Sequence, residues 1–338
     1  MTTAGSARPT MHDVARLAGV SQKTVSNVLN DYAYVRSSTR ERVMAAVEEL
    51  GYRMNTSART LRTGRHGVIG CALPYLQAEY FAELADAVID AAKKHGWRVL
   101  IEQTGGLRER ELEVLTGFRS GLDGLIMAPT TLAEPDAALL ADEFPVVLLN
   151  ENSLGDAVDS VAMAHYEGSY AATQHLIAGG RTAIAAIGAH PQELEGSAVA
   201  RLQGYSAALL DAGLELDRRR IAPTTLWHRR EGADAAAQLL TLADGVDAIF
   251  CFNDALALGA MRTVLASGRR IPDDVALIGF DDIEAASYAT PSLSSVAPGS
   301  KGMADAAVTM LADRLAGRVP ARATSAGYRL VVRESTGW

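Results

Sequence analysis

Thr10-Met-His-Asp-Val-Ala-Arg-Leu-Ala-Gly-Val-Ser-Gln-Lys-Thr-Val-Ser-Asn-Val-Leu-Asn30 reads as two short helices joined by a tight turn. Thr10 is placed to cap the first helix, with Asp13 three residues on to answer a free amide. Val14, Leu17 and Ala18 recur at i, i+3, i+4 and make an apolar stripe. Gly19 supplies the turn, because without a Cβ it enters positive φ cheaply. Ser21 then caps the second helix, with Val25, Val28 and Leu29 inward. That leaves Gln22, Lys23, Ser26, Asn27 and Asn30 facing outward. Such side chains donate and accept in two directions, as reading base edges in a major groove requires. Helix, glycine turn and polar-faced second helix make the helix-turn-helix pattern. The plainer alternative is a helical hairpin with a solvated face.

Outward from this stretch, residues 1–9 are small and polar and predict a disordered tail. Asp31 to Ser37 is a polar loop containing Tyr32 and Tyr34. Ser38 and Glu41 have capping-box spacing and open a third helix, with Val43, Val47 and Leu50 on one face and Gly51 at its end. In Tyr52 to Gly64, Asn55 can cap a helix from Thr56 to about Arg62, which at roughly two turns is too short to be stable alone in water. Arg53, Arg59, Arg62 and Arg65 make this segment basic. Leu61, apolar between arginines, suits a wedge between base pairs in a minor groove.

The net charge of −8 hides an asymmetry. Residues 1–66 hold ten Lys and Arg against five Asp and Glu, whereas 67–338 hold 22 against 35. A basic head on an acidic body points to a polyanion partner for the head alone. The hydrophobic share of 48% over 338 residues allows two or three domains with a large core. Cys71 and Cys251 lie in apolar, strand-like runs and read as reduced thiols of a cytoplasmic protein. The chain offers no secretory signal and no membrane span.

From Val68 strands and helices alternate. Strands are predicted at 67–74, 97–102, 123–127, 146–149, 184–187, 248–252 and 275–278. Helices are predicted at 80–95, 108–119, 166–178, 201–212, 231–242 and 255–266, with another between the strands at 123–127 and 146–149. Repeated βα units imply two parallel sheets with helices on both faces. Ligands in such folds lie beyond the carboxyl ends of the strands. Those ends carry Tyr80, Phe81, Asn150, Arg201, Trp227, Asn253, Asp254, Asp281 and Asp282. Arg, Asp and Asn beside aromatic rings suit a small polyhydroxy ligand. The alternatives stay open: Asp254 and Asp282 as helix caps, Tyr80 and Phe81 as core, Arg201 as a surface residue opening its helix, and His165 as structural. No phosphate-binding glycine loop, nucleophile elbow, catalytic cluster or metal-ligand spacing is present, so neither cofactor nor metal is expected.

Several runs resemble the lac repressor (LacI/GalR) family. They are Asp13-Val-Ala-Arg-Leu-Ala-Gly-Val-Ser, Thr24-Val-Ser-Asn-Val-Leu-Asn, Asn55-Thr-Ser-Ala-Arg-Thr-Leu-Arg-Thr-Gly, Phe252-Asn-Asp-Ala-Leu-Ala-Leu-Gly and Ile271-Pro-Asp-Asp-Val-Ala-Leu-Ile-Gly-Phe-Asp-Asp. The resemblance runs from about residue 10 to the C-terminus. It implies an α/β protein with a three-helix head at 10–54, a hinge helix and linker at 55–66, and a two-lobed body at 67–338 like a periplasmic binding protein. Lobe 1 would take 67–165 and 298–328, and lobe 2 the rest. It implies a homodimeric repressor on a pseudo-palindromic double-stranded operator, controlled by a small effector, with no membrane and no catalysis. Gln22 and Lys23 then match base-reading positions, with Ser26 and Asn27 on the same face. Ser21, Asn30, Tyr34 and Thr39 match phosphate-holding positions, and Asn55, Ala58 and Leu61 the hinge contacts. Phe81, Arg201, Trp227, Asn253 and Asp281 match effector contacts, and Tyr80 and Asn150 match less closely. Asn27 departs from a common arginine, Met54 from a common proline, and Asn150-Glu151 from the commoner Asp or Gly followed by Arg. A sugar is the favoured effector and a purine the alternative. A solute-binding module without DNA function and a Rossmann-type enzyme are the rival classes.

Overall fold

Thr10 and Asp13 cap α1 (Met11–Ala18) reciprocally: Thr10 N–H donates to the Asp13 carboxylate at 2.9 Å, and Asp13 N–H donates back to Thr10 Oγ1. Gly19 ends α1 at φ 63°, and Ser21 Oγ accepts the Thr24 N–H at 3.1 Å to start α2 (Gln22–Leu29). The third helix, α3 (Ser37–Glu49), closes on Gly51 at φ 58°. There Gly51 N–H reaches Glu48 O and Tyr52 N–H reaches Val47 O, the paired bonds of a glycine C-cap. Val14, Val25 and Val43 are completely buried against one another. Arg42 ties α3 to the end of α1 by donating to Ala18 O at 2.9 Å.

Three local expectations are corrected. Leu17 is 46% exposed. At 100° per residue Met11, Val14, Ala15 and Ala18 share one arc, and Leu17 falls about 60° outside it. Ser26 is buried rather than outward, because its place between Val25 and Val28 turns it to the protein side. The Ser38–Glu41 capping box does not form. Helix α3 begins two residues early, with Arg36 in place of Ser38 at the cap position, Arg36 O accepting from Thr39 and Arg40, and no side-chain cap.

The computed structural model describes residues 9–29, 32, 34–52, 64–117, 120–132, 136–140, 144–150, 158–190, 196–318 and 320–337. They fall in two units, Met1–His66 and Gly67–Trp338. The predicted tail (apart from its last residue), Asn30, and the hinge segment with Asn55, Ala58 and Leu61 lie outside the described residues, as does the side chain of Asn150.

The body alternates as its apolar runs predict. Its first half comprises β1 (Val68–Leu73), α4 (Glu79–Lys94), β2 (Arg98–Gln103), α5 (Arg108–Gly117), β3 (Gly124–Met127), α6 (Ala137–Leu140), β4 (Val146–Asn150) and β5 (Asp159–Ala162). Then follow α7 (His165–Ala178), β6 (Ile184–Ala189), α8 (Ser197–Asp211), β7 (Ile221–Pro223), α9 (Arg229–Leu239), β8 (Ala248–Cys251), α10 (Asp254–Ala266), β9 (Ala276–Phe280), α11 (Glu284–Tyr288) and β10 (Ser294–Ala297). The chain closes with α12 (Ser300–Leu315), β11 (Ala323–Ser325) and β12 (Arg329–Val331).

One sheet runs β11-β5-β4-β3-β1-β2 and the other β12-β10-β9-β8-β6-β7. The second is not wholly parallel, since β12 returns antiparallel to β10. Strand β10 belongs to the second sheet, α12 packs on the first, and β11 and β12 join opposite sheets. The chain therefore crosses between lobes after β5, after β10 and after β11. The crossing after β5 carries Met163, Ala164 and His165 between the lobes.

Helices α9 and α10 meet through glycines. A Cβ on Gly259 would stand 1.8 Å from Arg229 O, and one on Gly232 would stand 2.1 Å from Leu256 O. Gly302, in α12, faces nothing within 4 Å. We expect Gly259→Ala to lower unfolding stability by about 2 kcal/mol or more, since backbone must move. Gly302→Ala should raise it by roughly 0.5–1 kcal/mol, by helix propensity alone. Chemical denaturation of the two variants checks both signs.

Candidate functional site

In the head, α2 carries Gln22 and Lys23 exposed at its start and Asn27 half-buried one turn on. Gln22 Nε2 lies 3.0 Å from His12 Nδ1, a contact that braces the outward amide. Tyr34 is 88% exposed, and Ser21 and Thr39 stand at the starts of α2 and α3. Amide, ammonium, hydroxyl and exposed helix starts form a surface fitted to bases and phosphates. Ser26 does not belong to it.

In the body, the carboxyl ends of the strands frame a cavity of about 680 Å³ between the lobes. At its heart is Arg201. Helix α8 begins at Ser197 rather than at Arg201, which places Arg201 one turn in and buries it to 3% exposure. Its Nε donates to His165 Nδ1 at 3.2 Å, Nη1 donates to Phe252 O, and Nη2 points at Met163 Sδ at 3.3 Å. The guanidinium lies 3.7 Å from the Phe280 ring centroid and 5.0 Å from that of Trp227. Asp281 Oδ1 completes the set at 3.6 Å from Nη2. Burial pushes the Asp281 carboxyl up to about 7, against the pull of Arg201, while Glu83 pushes it higher.

The corner that presents Asp281 is strained and pinned. Asp281 and Asp282 have φ 109° and 53°, the two non-glycine residues at positive φ among the described residues. Asp281 N–H donates to Val296 O, and Asp282 N–H to Ser295 Oγ at 3.0 Å. Ser295 Oγ in turn donates to Asp254 at 2.7 Å, and Ile283 N–H donates to the same carboxylate at 3.0 Å. Asp254 is fully buried and holds its proton well above the usual carboxylate range, first through burial and then through Asp281. Neither Asp254 nor Asp282 caps a helix. Asp254 staples the corner, and Asp282 takes Arg333 at 2.6 Å, because Asn253 and Ile283 hold the cap positions of α10 and α11.

Asn253 does two things at once: its Oδ1 caps α10 through Leu256 N–H at 2.8 Å, and its Nδ2 holds Trp227 O at 3.2 Å. Trp227 Nε1 donates to Gly188 O at 2.9 Å, so the indole is fixed edge-on in the second lobe. Phe81 is half-buried in the wall of lobe 1, and Tyr80, 7% exposed, belongs mainly to the core beneath it. Thus Tyr80, Phe81, Arg201, Trp227, Asn253 and Asp281 converge on one cavity. Sequence reasoning underweighted His165, which reaches the cleft because it stands at a lobe crossing. It overlooked Met163, Tyr75, Thr130 and Thr131, whose only available signal was their position just after a strand.

Residues 10–55 match the profile of bacterial regulatory proteins of the lacI family, and 173–336 that of a periplasmic binding protein-like domain. The regulator CelR of Thermobifida fusca is 36% identical over 341 residues, covering 97% of this chain and 98% of CelR. The repressor PurR of Vibrio vulnificus (strain CMCP6) is 31% identical over 309 residues, covering 90% and 92%. The chain belongs to the lacI family of bacterial regulatory proteins. Its body also superposes on solved members of this family. A CelR–cellobiose complex matches with a TM-score of 0.72 at 31% identity, over 97% of this chain and 100% of that one. The lac repressor dimer bound to operator and an anti-inducer matches with a TM-score of 0.82 at 27% identity, over 98% and 99%. A lacI-family chain with this head and body is a helix-turn-helix transcriptional regulator with a ligand-binding domain. The relatives are regulators, and among the described residues no helix is long and apolar enough to cross a membrane.

The raised Asp281 carboxyl makes stability depend on pH. The native carboxyl keeps its proton up to about 7, while an unfolded one releases it near 3.8. Between those values the native state binds more protons, so this contribution is largest in acid and is lost as pH rises through 7. Asp281→Asn lacks the dependence. We expect the melting temperature of the variant relative to wild type to climb between about pH 5 and about pH 8. A flat difference across that range would remove Asp281 as the titrating group.

Proposed function

We propose that the protein is a homodimeric, cytoplasmic repressor whose affinity for a pseudo-palindromic operator is set by a sugar held between the lobes of its body. The observation that carries the ligand class is the buried Arg201–Asp281 pair beside Trp227. It sets guanidinium donors and carboxylate acceptors side by side with an aromatic plane, the arrangement that grips vicinal hydroxyls and covers an apolar sugar face. The CelR complex with cellobiose and the operator-bound lac repressor dimer support the ligand class and the assembly. Phe81 and Asn253, which line the cavity, would contact the ligand, and Asn150 at the end of β4 would join them.

In this reading Gln22 and Lys23 read base edges and Asn27 extends that contact. Ser21, Asn30, Tyr34 and Thr39 hold phosphates, while Asn55, Ala58 and Leu61 act in the hinge. A ligand preferring one angle between the lobes by about 3 kcal/mol changes operator affinity roughly 100-fold.

Operator fragments selected from genomic DNA and measured by fluorescence anisotropy test the DNA side. Gln22→Ala should cost about 1–3 kcal/mol and relax specificity at one base pair. Lys23→Ala should weaken binding and flatten its salt dependence if the ammonium also meets phosphate. Leu61→Ala should weaken binding more than a surface leucine control such as Leu210→Ala. On the ligand side, a sugar at about 100 times its dissociation constant adds about 2.7 kcal/mol of stability. A thermal shift from a sugar that survives unchanged in Asp281→Ala would place the ligand elsewhere.

A further inference from the structure

The segment that follows β12 reaches the Asp281–Asp282 corner without entering the cavity, since none of Arg333 to Thr336 lines it. Ser335 and Thr336 are fully buried there. Ser335 Oγ donates to Leu277 O of β9 at 2.7 Å and accepts the Ser294 N–H at 2.8 Å. Thr336 Oγ1 lies 2.6 Å from Ser294 Oγ and 2.8 Å from His175 Nε2, and Arg333 N–H donates to Ser294 Oγ at 2.8 Å. These bonds lock the strap of backbone that carries Arg333. Its guanidinium then forks: Nη1 donates to Leu293 O at 2.7 Å and Nη2 to Asp282 Oδ1 at 2.6 Å.

Two features set this ion pair apart from a surface one. Arg333 and Asp282 are 19% and 16% exposed, whereas Arg329, 3.7 Å from the other Asp282 oxygen, is 70% exposed and adds little. The gripped carboxylate also belongs to a residue at φ 53°, next to Asp281 at φ 109°. Residues other than glycine keep such angles only where the surroundings impose them. Ser295 and Val296 fix the corner from the strand side, through the amides of Asp282 and Asp281. Arg333 is its side-chain anchor, tying Asp282 to a segment 51 residues downstream.

Resting on the reading of Asp281 as an effector contact, we propose that Arg333 is a positioning residue for the cleft, acting through Asp282 to hold Asp281 against Arg201. Asp281 faces Arg201 of α8, with His165 of α7 beyond it, Glu83 of α4 and Asp254 of α10, while Asp282 faces Arg333 and Arg329. Held in that setting, the Asp281 carboxyl is pushed up to about 7 by burial. Released into the open cavity, it returns toward the ordinary 3.8. Losing the Arg333 charge alone acts the other way, because a nearby cation favours the ionised carboxyl. Position and charge are therefore separable.

Thermal unfolding of the full-length protein from pH 5 to pH 8 tests the placement without a ligand. The readout is the difference in melting temperature between each background and the same background carrying Asp281→Asn. In the unsubstituted background Asp281→Asn gains on its parent as pH rises, because only the parent loses stability there. In Arg333→Met we expect this gain to vanish. In Arg333→Lys, which keeps the charge and loses the fork, it should shrink. Thr336→Val breaks the strap at a point that does not touch Asp282. It should lower the melting temperature and leave the gain as it was. A gain that persists in Arg333→Met or moves to higher pH overturns the proposal, as does one that Arg333→Lys leaves whole. Arg333→Lys decides the matter should Arg333→Met fail to fold. Loss of the gain in Thr336→Val overturns it too, since any loosening of the lobe would then suffice. A flat difference in the unsubstituted background would show that Asp281 is not held against Arg201, and sinks it as well. A sugar-induced thermal shift that survives Asp281→Ala, by contrast, would overturn the effector reading and leave the placement of Asp281 standing.

Discussion

Arg201 and Asp281 stand 3.6 Å apart with exposures of 3% and 8%, and a guanidinium and a carboxyl group so far from water persist only where other groups satisfy them. The body is arranged to supply those groups. His165 and Met163 arrive on a lobe crossing, Phe252 O from the end of β8, Phe280 from the end of β9 and Trp227 from the loop before α9. Each comes from a different segment, so the pair forms only when both sheets and the crossing are in place. The same convergence puts a polar, preorganised grip in an otherwise apolar fold, which is what a ligand bearing many hydroxyls needs.

Asp254 holds that grip from behind. Gly279 makes this possible, because a Cβ there would stand 2.0 Å from Asp254 Oδ1. The buried carboxyl staples Ile283 and Ser295, and the Asp281–Asp282 corner accepts unfavourable φ values because these bonds over-determine it. Glu111, fully buried, plays a comparable part in the first lobe by accepting from Thr130 N–H at 2.7 Å and from Thr131 Oγ1 at 2.6 Å. In both lobes a buried carboxyl behind the wall orders a loop at the carboxyl ends of the strands. The cleft walls are therefore set by groups that never touch the cavity.

The head follows a different logic. It is too small to rely on a large core, and short helices need their free ends satisfied. Thr10, Gly19, Ser21 and Gly51 do so at both ends of α1, the start of α2 and the end of α3, and Arg42 adds a side-chain bond to the end of α1. Gln22 and Lys23 can stay exposed because the valines on the other face close the core.

Local chemistry made much of this legible. Capping residues, turn glycines and apolar periodicity act within a few residues, so Thr10 to Asn30, the alternation of strands and helices, and the family of the chain could be read directly from the sequence. Strand ends could be singled out for the same reason, and Trp227, Asn253 and Asp281 line one cavity with Arg201. The misreadings have one cause. Leu17 and Ser26 were assigned by spacing, whereas a two-turn helix leaves its boundary positions to the packing of its neighbours. Asp254 and Asp282 were read as caps, yet their partners lie 29 and 51 residues away. His165 and Thr130 have no local signature, since a lobe crossing brings one to the cleft and a buried glutamate orients the other. The sequence by itself determined the strands β1 to β4, β6, β8 and β9 with the helices between them, the caps at Thr10, Gly19, Ser21 and Gly51, and the family. Only the tertiary structure decided which polar groups meet in the cleft, because burial and long-range hydrogen bonding exist only once distant segments are packed together.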